Sequence, residues 1–182
     1  MLREMVRRGT PFRGVIFAGL MLTETGPSLI EYNVRFGDPE AEALLPRLTS
    51  DLLPALHALA QDRLDAAPIT FSDQASVCVV MAARGYPANP EKGGVITGLD
   101  NAAALPGVHV FQAGTMQNMA GALVVSGGRV LVVCALADPV QDAQKRAYAV
   151  VAAISSPGAR WRTDIGSRAL YSRLTWLGAV PS

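Results

Sequence analysis

Three residues set two apart, Glu31, Asn33 and Arg35, and their neighbour Asp38 carry the chain's most suggestive chemistry, in the run Ile-Glu-Tyr-Asn-Val-Arg-Phe-Gly-Asp-Pro-Glu over 30–40. Side chains alternate along a strand, so Glu31 and Asn33 share a face with backbones about 7 Å apart. A carboxylate and an amide oxygen at that spacing can converge on one hard cation such as magnesium, which keeps several waters and needs one or two protein ligands beside phosphate oxygens. Arg35 continues on that face and offers a planar fork of donors to a phosphoryl or carboxylate oxygen. The same pattern also suits the solvated face of an edge hairpin, and Asp38 also reads as a helix cap, since Pro39 fits a first helical position and Glu40 favours the positive dipole end. Spacing alone leaves both readings open.

The elements that must hold these residues are legible around them. Residues 12–22 are nearly continuously apolar, as in a strand buried on both faces. Glu24-Thr25-Gly26-Pro27 makes a turn, and 28–34 form a second strand with Ile30, Tyr32 and Val34 on one face. Apolar residues at Ala41, Leu44, Leu45, Leu48, Leu52, Leu53, Leu56 and Leu59 keep helical spacing, which predicts two helices broken near Pro46 to Pro54. The polar stretch from Gln61 to Gln74 reads as a connection between domains, placed as 1–66 and 67–182.

Beyond it the chain is strand-rich: 75–82, 108–112 and 122–126 read as strands, and Gly127-Gly128 as a two-residue hairpin between 124–125 and 130–131. Asp138-Pro139-Val140-Gln141 reads as a capped helix opening, with Val140, Ala143, Ala147, Val150, Val151 and Ile154 as the buried face. The tail from Trp161 to Leu170 reads as a basic irregular segment, followed by a loosely held end. The expected fold class is α+β, the second part a mainly antiparallel sheet with a helix packed on it.

The loop 84–94, rich in glycine and proline, contains Lys92-Gly93-Gly94, which offers an ammonium and backbone donors to a phosphate or, alternatively, a solvated lysine. No Walker-type glycine-lysine loop occurs. With His57 among helical leucines and His109 among strand valines, the two histidines read as structural and no triad is available. Tyr148, Trp161 and Trp176 read as packing residues.

Composition narrows the classes. Of 182 residues, 16 are basic and 15 acidic, a net charge of +1, so no field exists to hold nucleic acid or a membrane surface. No apolar segment is long enough for a membrane span or signal peptide. Cys78 and Cys134 lie in apolar runs, which suits buried thiols in a reducing compartment and a cytoplasmic location. The amphipathic start, Leu2, Met5 and Val6 on one face, reads as the middle of a larger protein or the start of a split gene.

The run 30–40 resembles the signature of glycinamide ribonucleotide synthetases, members of the ATP-grasp superfamily. The likeness continues through Leu45-Pro46-Arg47-Leu48, Gly85-Tyr86-Pro87, Lys92-Gly93, Ile96-Thr97-Gly98-Leu99, Ser126-Gly127-Gly128-Arg129 and Asp164-Ile165-Gly166. It implies the carboxyl-terminal part of an ATP-grasp domain followed by the synthetase's own carboxyl-terminal domain. It implies an ATP-dependent ligation in which glycine is activated as an acyl phosphate and attacked by the amine of phosphoribosylamine. Glu31 and Asn33 map onto the family's magnesium or manganese ligands, Arg35 onto a catalytic role, and Asp38, Lys92 and Gly93 onto substrate binding. The chain departs from the pattern in two places: the strand before Glu31 has no carboxylate, and Gln112-Ala113-Gly114-Thr115 stands where the family commonly has His-Ala-Gly-Thr. The resemblance leaves the nucleotide-gripping half to other residues, so the chain alone is expected to be inactive, with that half as a partner. The rival readings are another carboxylate-amine ligase of the superfamily and a non-catalytic assembly module.

Overall fold

In the computed structural model, which describes residues 1–171, the chain divides into two compact units. The first comprises 1–41 and 48–72; the second comprises 42–47 and the chain from Asp73 onward.

In the first unit a short helix, α1 (Leu2–Arg7), is closed by Glu4, whose carboxylate accepts from Arg7 and Arg8 and is thereby held at about 2. Strands β1 (Phe17–Thr23) and β2 (Gly26–Asn33) form an antiparallel ribbon. Its turn is tight: Thr23 pairs with Gly26, the Thr23 hydroxyl donates to the Gly26 carbonyl at 2.7 Å, and Gly26 has φ +115°. The first strand was expected from residue 12 and buried on both faces. It begins at Phe17 and is mostly exposed, with Leu20, Met21 and Leu22 all open to solvent, because its only strand partner among the described residues is β2. A continuous apolar run reports that a strand can be buried, and not that anything lies over it.

The predicted pair of helices is present. Helix α2 (Glu40–Leu44) passes into a 3₁₀ turn over Leu45–Arg47, where Pro46 ends the α-helical bonding, and α3 (Leu52–Ala60) follows. The α3 cap is Asp51, whose carboxylate accepts the Leu53 N–H at 2.9 Å; Pro54 sits harmlessly in the first turn. The segment after α3 is tied back at both ends: Arg13 pairs with Asp62, which lowers the Asp62 pKa, and Thr49 N–H donates to the Thr70 carbonyl at 2.9 Å.

The second unit is built on β3 (Ala75–Ala82). After it come a one-turn helix α4 (Leu99–Ala103), β4 (Val108–Gln112), β5 (Thr115–Gln117), β6 (Leu123–Val125), β7 (Arg129–Ala137), α5 (Val140–Ala153) and α6 (Ser167–Tyr171). β7 lies between β3 and β4, antiparallel to both. With backbone partners on each side and α5 packed against β3 and β7, residues 130–135 are completely buried. The expected helical face meets this sheet: Ala143, Ala147, Val150 and Val151 are inaccessible, and Ile154 follows just beyond the helix end. Small residues at 143 and 147 let the helix axis approach the sheet closely. Cys78 and Cys134 are direct cross-strand partners with free thiols. The hydrogen bond between them, then burial, push the Cys78 thiol up.

Three expectations in this unit are corrected. Gly127-Gly128 is not a hairpin turn, because β6 pairs with β5 and β7 with β3 and β4. The glycines serve a close crossing: a Cβ on Gly114 would lie 2.6 Å from the Gly127 Cα, and the Ser126 and Gly127 N–H groups both donate to the Gly114 carbonyl. Asp138 does not cap α5; Pro139 occupies the cap position and has no side-chain acceptor to offer. Residues 161–170 are not irregular throughout, since α6 begins at Ser167 and the Tyr148 hydroxyl clamps the stretch, donating to the Arg162 carbonyl at 2.8 Å and accepting the Ile165 N–H at 3.0 Å. Trp176 and the rest of the predicted loose end lie outside the described residues.

Candidate functional site

The ribbon positions the candidate metal ligands. Glu31 pairs with Gly19 and Asn33 with Phe17 across the hairpin, and a β-bulge follows between Gly19 and Leu20. The absence of a side chain on Gly19 matters here: a Cβ would lie 3.3 Å from the Glu31 Cγ and press on the carboxylate-bearing stem. The Glu31 and Asn33 side chains converge, the Asn33 amide Nδ2 donating to Glu31 Oε1 at 2.9 Å. The strand ends at Asn33, one residue short of the expected Val34, so Arg35 stands in the bend beyond it. It still reaches the same face. Arg35 Nη2 donates to Asn33 Oδ1 at 3.3 Å, and Nη1 donates to the Phe36 carbonyl at 2.7 Å, which anchors the guanidinium on its own backbone.

The three groups therefore form a chain of donors and acceptors on an open face, Glu31 and Arg35 being exposed and Asn33 half-buried. An exposed carboxylate and an amide oxygen are the hard, oxygen-only donors that magnesium or manganese takes, and the hydrogen bond between them shows that they reach a common point. A cation there would replace the amide's donation to Glu31, with the amide turned to present its oxygen, a two-fold rotation of a terminal amide. Among the described residues no cluster of three or more His, Cys, Asp or Glu occurs, so a cation held here would have one carboxylate and one amide as its protein donors.

Asp38 is exposed in the turn before α2. The helix it was expected to cap opens at Glu40, and its first bond runs from the Ala41 N–H to the Gly37 carbonyl at 3.2 Å. Gly37 was missed as a positioning residue. A Cβ there would fall 2.8 Å from the Glu40 Cβ, so the close approach of the first helical residue favours glycine at this turn. The glycine in Phe-Gly-Asp-Pro was the visible signal.

Lys92 and Gly93 lie in the second unit, in the loop after β3. The Gly93 N–H donates to the Val125 carbonyl at 2.8 Å, and the Val125 N–H to the Gly94 carbonyl at 2.9 Å, so the loop is tied to β6 like a short strand. The expected cradle of free backbone donors is not formed at Gly93. Its φ of +86° instead sets the turn that leaves Lys92 exposed. His57 and His109 are both exposed, His57 beside Gln61 and His109 stacked on Phe111, and neither approaches a nucleophile. The loop at Gln112 is structural in the same sense: its Oε1 accepts from the Thr115 hydroxyl at 3.0 Å, bracketing the Gly114 crossing.

Residues 76–168 match the family described as phosphoribosylglycinamide synthetase, C domain, and residues 1–41 match the ATP-grasp (A) domain of the same synthetase. The chain belongs to the phosphoribosylglycinamide synthetase family. It is 52% identical to a phosphoribosylamine–glycine ligase of Mesorhizobium japonicum over 93% of its own length and 39% of the relative's. For the ligase of Caulobacter vibrioides the identity is 51%, over 93% of this chain and 40% of that one. A crystal structure of phosphoribosylamine–glycine ligase from Thermotoga maritima superimposes with a TM-score of 0.74 at 32% identity, over 88% of this chain and 39% of the other. N5-carboxyaminoimidazole ribonucleotide synthetase from the same organism shares the fold at a TM-score of 0.54 and 13% identity. The chain thus spans about two fifths of the length of the relatives it matches. The ribbon with Glu31 and Asn33 falls within the ATP-grasp match and Lys92 within the C-domain match.

Proposed function

We propose that this chain is the carboxyl-terminal part of an ATP-dependent carboxylate-amine ligase that joins glycine to phosphoribosylamine, as the printed names of its relatives describe. Residues 1–66 would be the end of the ATP-grasp domain and 67–182 the synthetase's carboxyl-terminal domain, acting with an amino-terminal portion in the cytoplasm. The reading rests on one observation: Glu31, Asn33 and Arg35 are linked side chain to side chain on one open face of the ribbon, in a chain of this family.

Glu31 and Asn33 would hold a magnesium or manganese ion. Such an ion would supply charge neutralisation at phosphate oxygens during activation of the glycine carboxylate. Arg35 stands where charge develops on the transferring group. Its guanidinium is pre-oriented by the Phe36 carbonyl and can present its remaining N–H groups to a phosphoryl oxygen without reorganising. Asp38 is assigned to substrate binding because an exposed carboxylate at the turn suits the ammonium of glycine or the amine of the acceptor. Lys92 is assigned to a substrate phosphate, with Gly93 shaping its loop.

The test is a hybrid in which this chain replaces the matching 40% of the Caulobacter vibrioides relative. Glycinamide ribonucleotide formation is expected, and Glu31→Gln and Asn33→Ala should each lower kcat by about 10²–10³-fold, the loss seen when one preorganised charge-stabilising group is removed. Retention of full metal-dependent turnover by both variants, in hybrids that fold as the parent does, would overturn the assignment.

A further inference from the structure

The three-stranded sheet of the second unit has two faces, and α5 covers one of them. Val77, Val79 and Met81 on β3 belong to the core packed with that helix, so alternation turns Ser76, Cys78 and Val80 to the other face. There Cys78 stands opposite Cys134 of β7. The ladder fixes which kind of pair this is. The Leu136 N–H donates to the Gly107 carbonyl at 2.7 Å and the Val130 carbonyl accepts the Ala113 N–H at 3.0 Å, so the even-numbered residues of β7, Cys134 among them, direct their backbone groups toward β4. Toward β3, Cys134 is therefore in a non-hydrogen-bonded pair, the type in which opposed Cα atoms approach to about 4.5 Å and the side chains stand closest. That separation falls inside the range of about 4.4–6.8 Å that disulfides span.

Both thiols are free, and their sulfurs are near enough to share a hydrogen bond. The hydrogen bond from Cys78, acting against burial and helped by the Ser76 hydroxyl 3.2 Å away, lowers the Cys134 thiol to about 7. One proton thus serves two sulfurs. Access divides them differently: Cys134 is 0% exposed and Cys78 is half-buried, so Cys78 is the sulfur that a small reagent reaches and Cys134 is held behind it. Glu42, which belongs to the same unit, adds negative charge that raises both thiols, and its Oε2 is buried with no hydrogen-bond partner among the described residues. A carboxylate so placed restrains the formation of a thiolate on either cysteine.

We infer that Cys78 and Cys134 are a redox pair that closes to an intramolecular disulfide between β3 and β7 when a peroxide reaches Cys78. With the shared proton on Cys134, the Cys78 thiolate attacks one peroxide oxygen; an S–O bond forms, the O–O bond breaks, and the hydroxide released combines with the proton that the pair had given to solvent. The Cys134 sulfur then attacks the Cys78 sulfur; the S–S bond forms, the S–O bond breaks, and the leaving hydroxide departs as water with the Cys134 proton. The two thiols lose two electrons and the peroxide gains them. Closure stops Cys78 short of the sulfinic acid, which is not readily reversed, and a thiol reductant reopens the bond. In a reducing compartment the pair rests as the dithiol. The disulfide is independent of the ligase reading, since neither sulfur is among the residues assigned to that chemistry.

The experiment exposes the folded 182-residue chain to hydrogen peroxide and follows free thiols and intact mass, which two cysteines in the whole sequence make unambiguous. Both thiols should disappear together, leaving a monomer lighter by two hydrogen atoms, and dithiothreitol should restore both. The urea midpoint of the oxidised chain should shift upward and return on reduction, because the closed bond restricts the unfolded chain. Under the same exposure Cys134→Ser should carry Cys78 on to oxygen-bearing acids, Cys78→Ser should leave Cys134 unmodified, and Glu42→Gln should speed closure severalfold. A chain that gains oxygen on Cys78 while Cys134 stays free, that links to a second copy, or that keeps both thiols while a solvated cysteine peptide is fully oxidised overturns the redox pair. An unchanged rate in Glu42→Gln overturns the restraint assigned to that carboxylate. The thiol count and mass of the unsubstituted chain decide the matter even where a variant fails to fold.

Discussion

Residues 17–22 and 131–136 are both unbroken apolar runs that form strands, yet their environments are opposite. Leu131 is 0% exposed at the centre of a three-stranded sheet under α5, whereas Leu22 is 73% exposed on a two-stranded ribbon. The difference teaches where this chain keeps its stability and where it keeps its chemistry. β7 has a ladder on each side and a helix over one face, so deleting a methyl group there leaves a hole that nothing can fill. The ribbon has one ladder, and its open face is where Glu31, Asn33 and Arg35 meet solvent and can meet a ligand.

The contrast can be broken by substitution, followed by urea denaturation of the chain. Leu131→Ala should destabilise the second unit by about 2–5 kcal/mol, the range for truncating a fully buried leucine. Loss of less than about 1 kcal/mol would mean that the sheet relaxes around the hole. Asp51→Ala removes the side-chain acceptor of the Leu53 N–H at the α3 N-terminus and should cost the first unit about 1 kcal/mol. Finding that cost in the transition of the second unit instead would break the division into two separately stabilised parts. Leu22→Ala should change stability by no more than about 0.5 kcal/mol, as expected for an exposed position. A loss as large as that of Leu131→Ala would show that the ribbon is covered in solution.

Much of this was readable from residue order. The strands at 75–82 and 108–112 occupy the predicted residues, and Ala143, Ala147, Val150 and Val151 form the buried face of α5, because period and composition are local properties of a chain. The convergence of Glu31 and Asn33 was readable for the same reason: alternation on a strand is obligatory once the strand exists. Arg35 was placed correctly on that face by a different route, reaching back from beyond the strand end.

Other features depended on contacts between distant residues. The sequence around Gly127-Gly128 is equally good for a hairpin, and only the approach of Gly114, thirteen residues earlier, turns it into a crossing between sheets. Asp138 looks like a cap by residue type, but Pro139 takes the cap position of α5, and a type preference is worth too little to override the path of the chain into its packing partner.

The amino-acid order by itself determined the family, the strand and helix periods, and the shared face of Glu31 and Asn33, since each depends on residues within a few positions of one another. Tertiary structure alone decided which apolar strand is buried and which glycines bear a crossing rather than a turn. Burial and close backbone approach are set by what packs from far along the chain, and no local pattern carries that information.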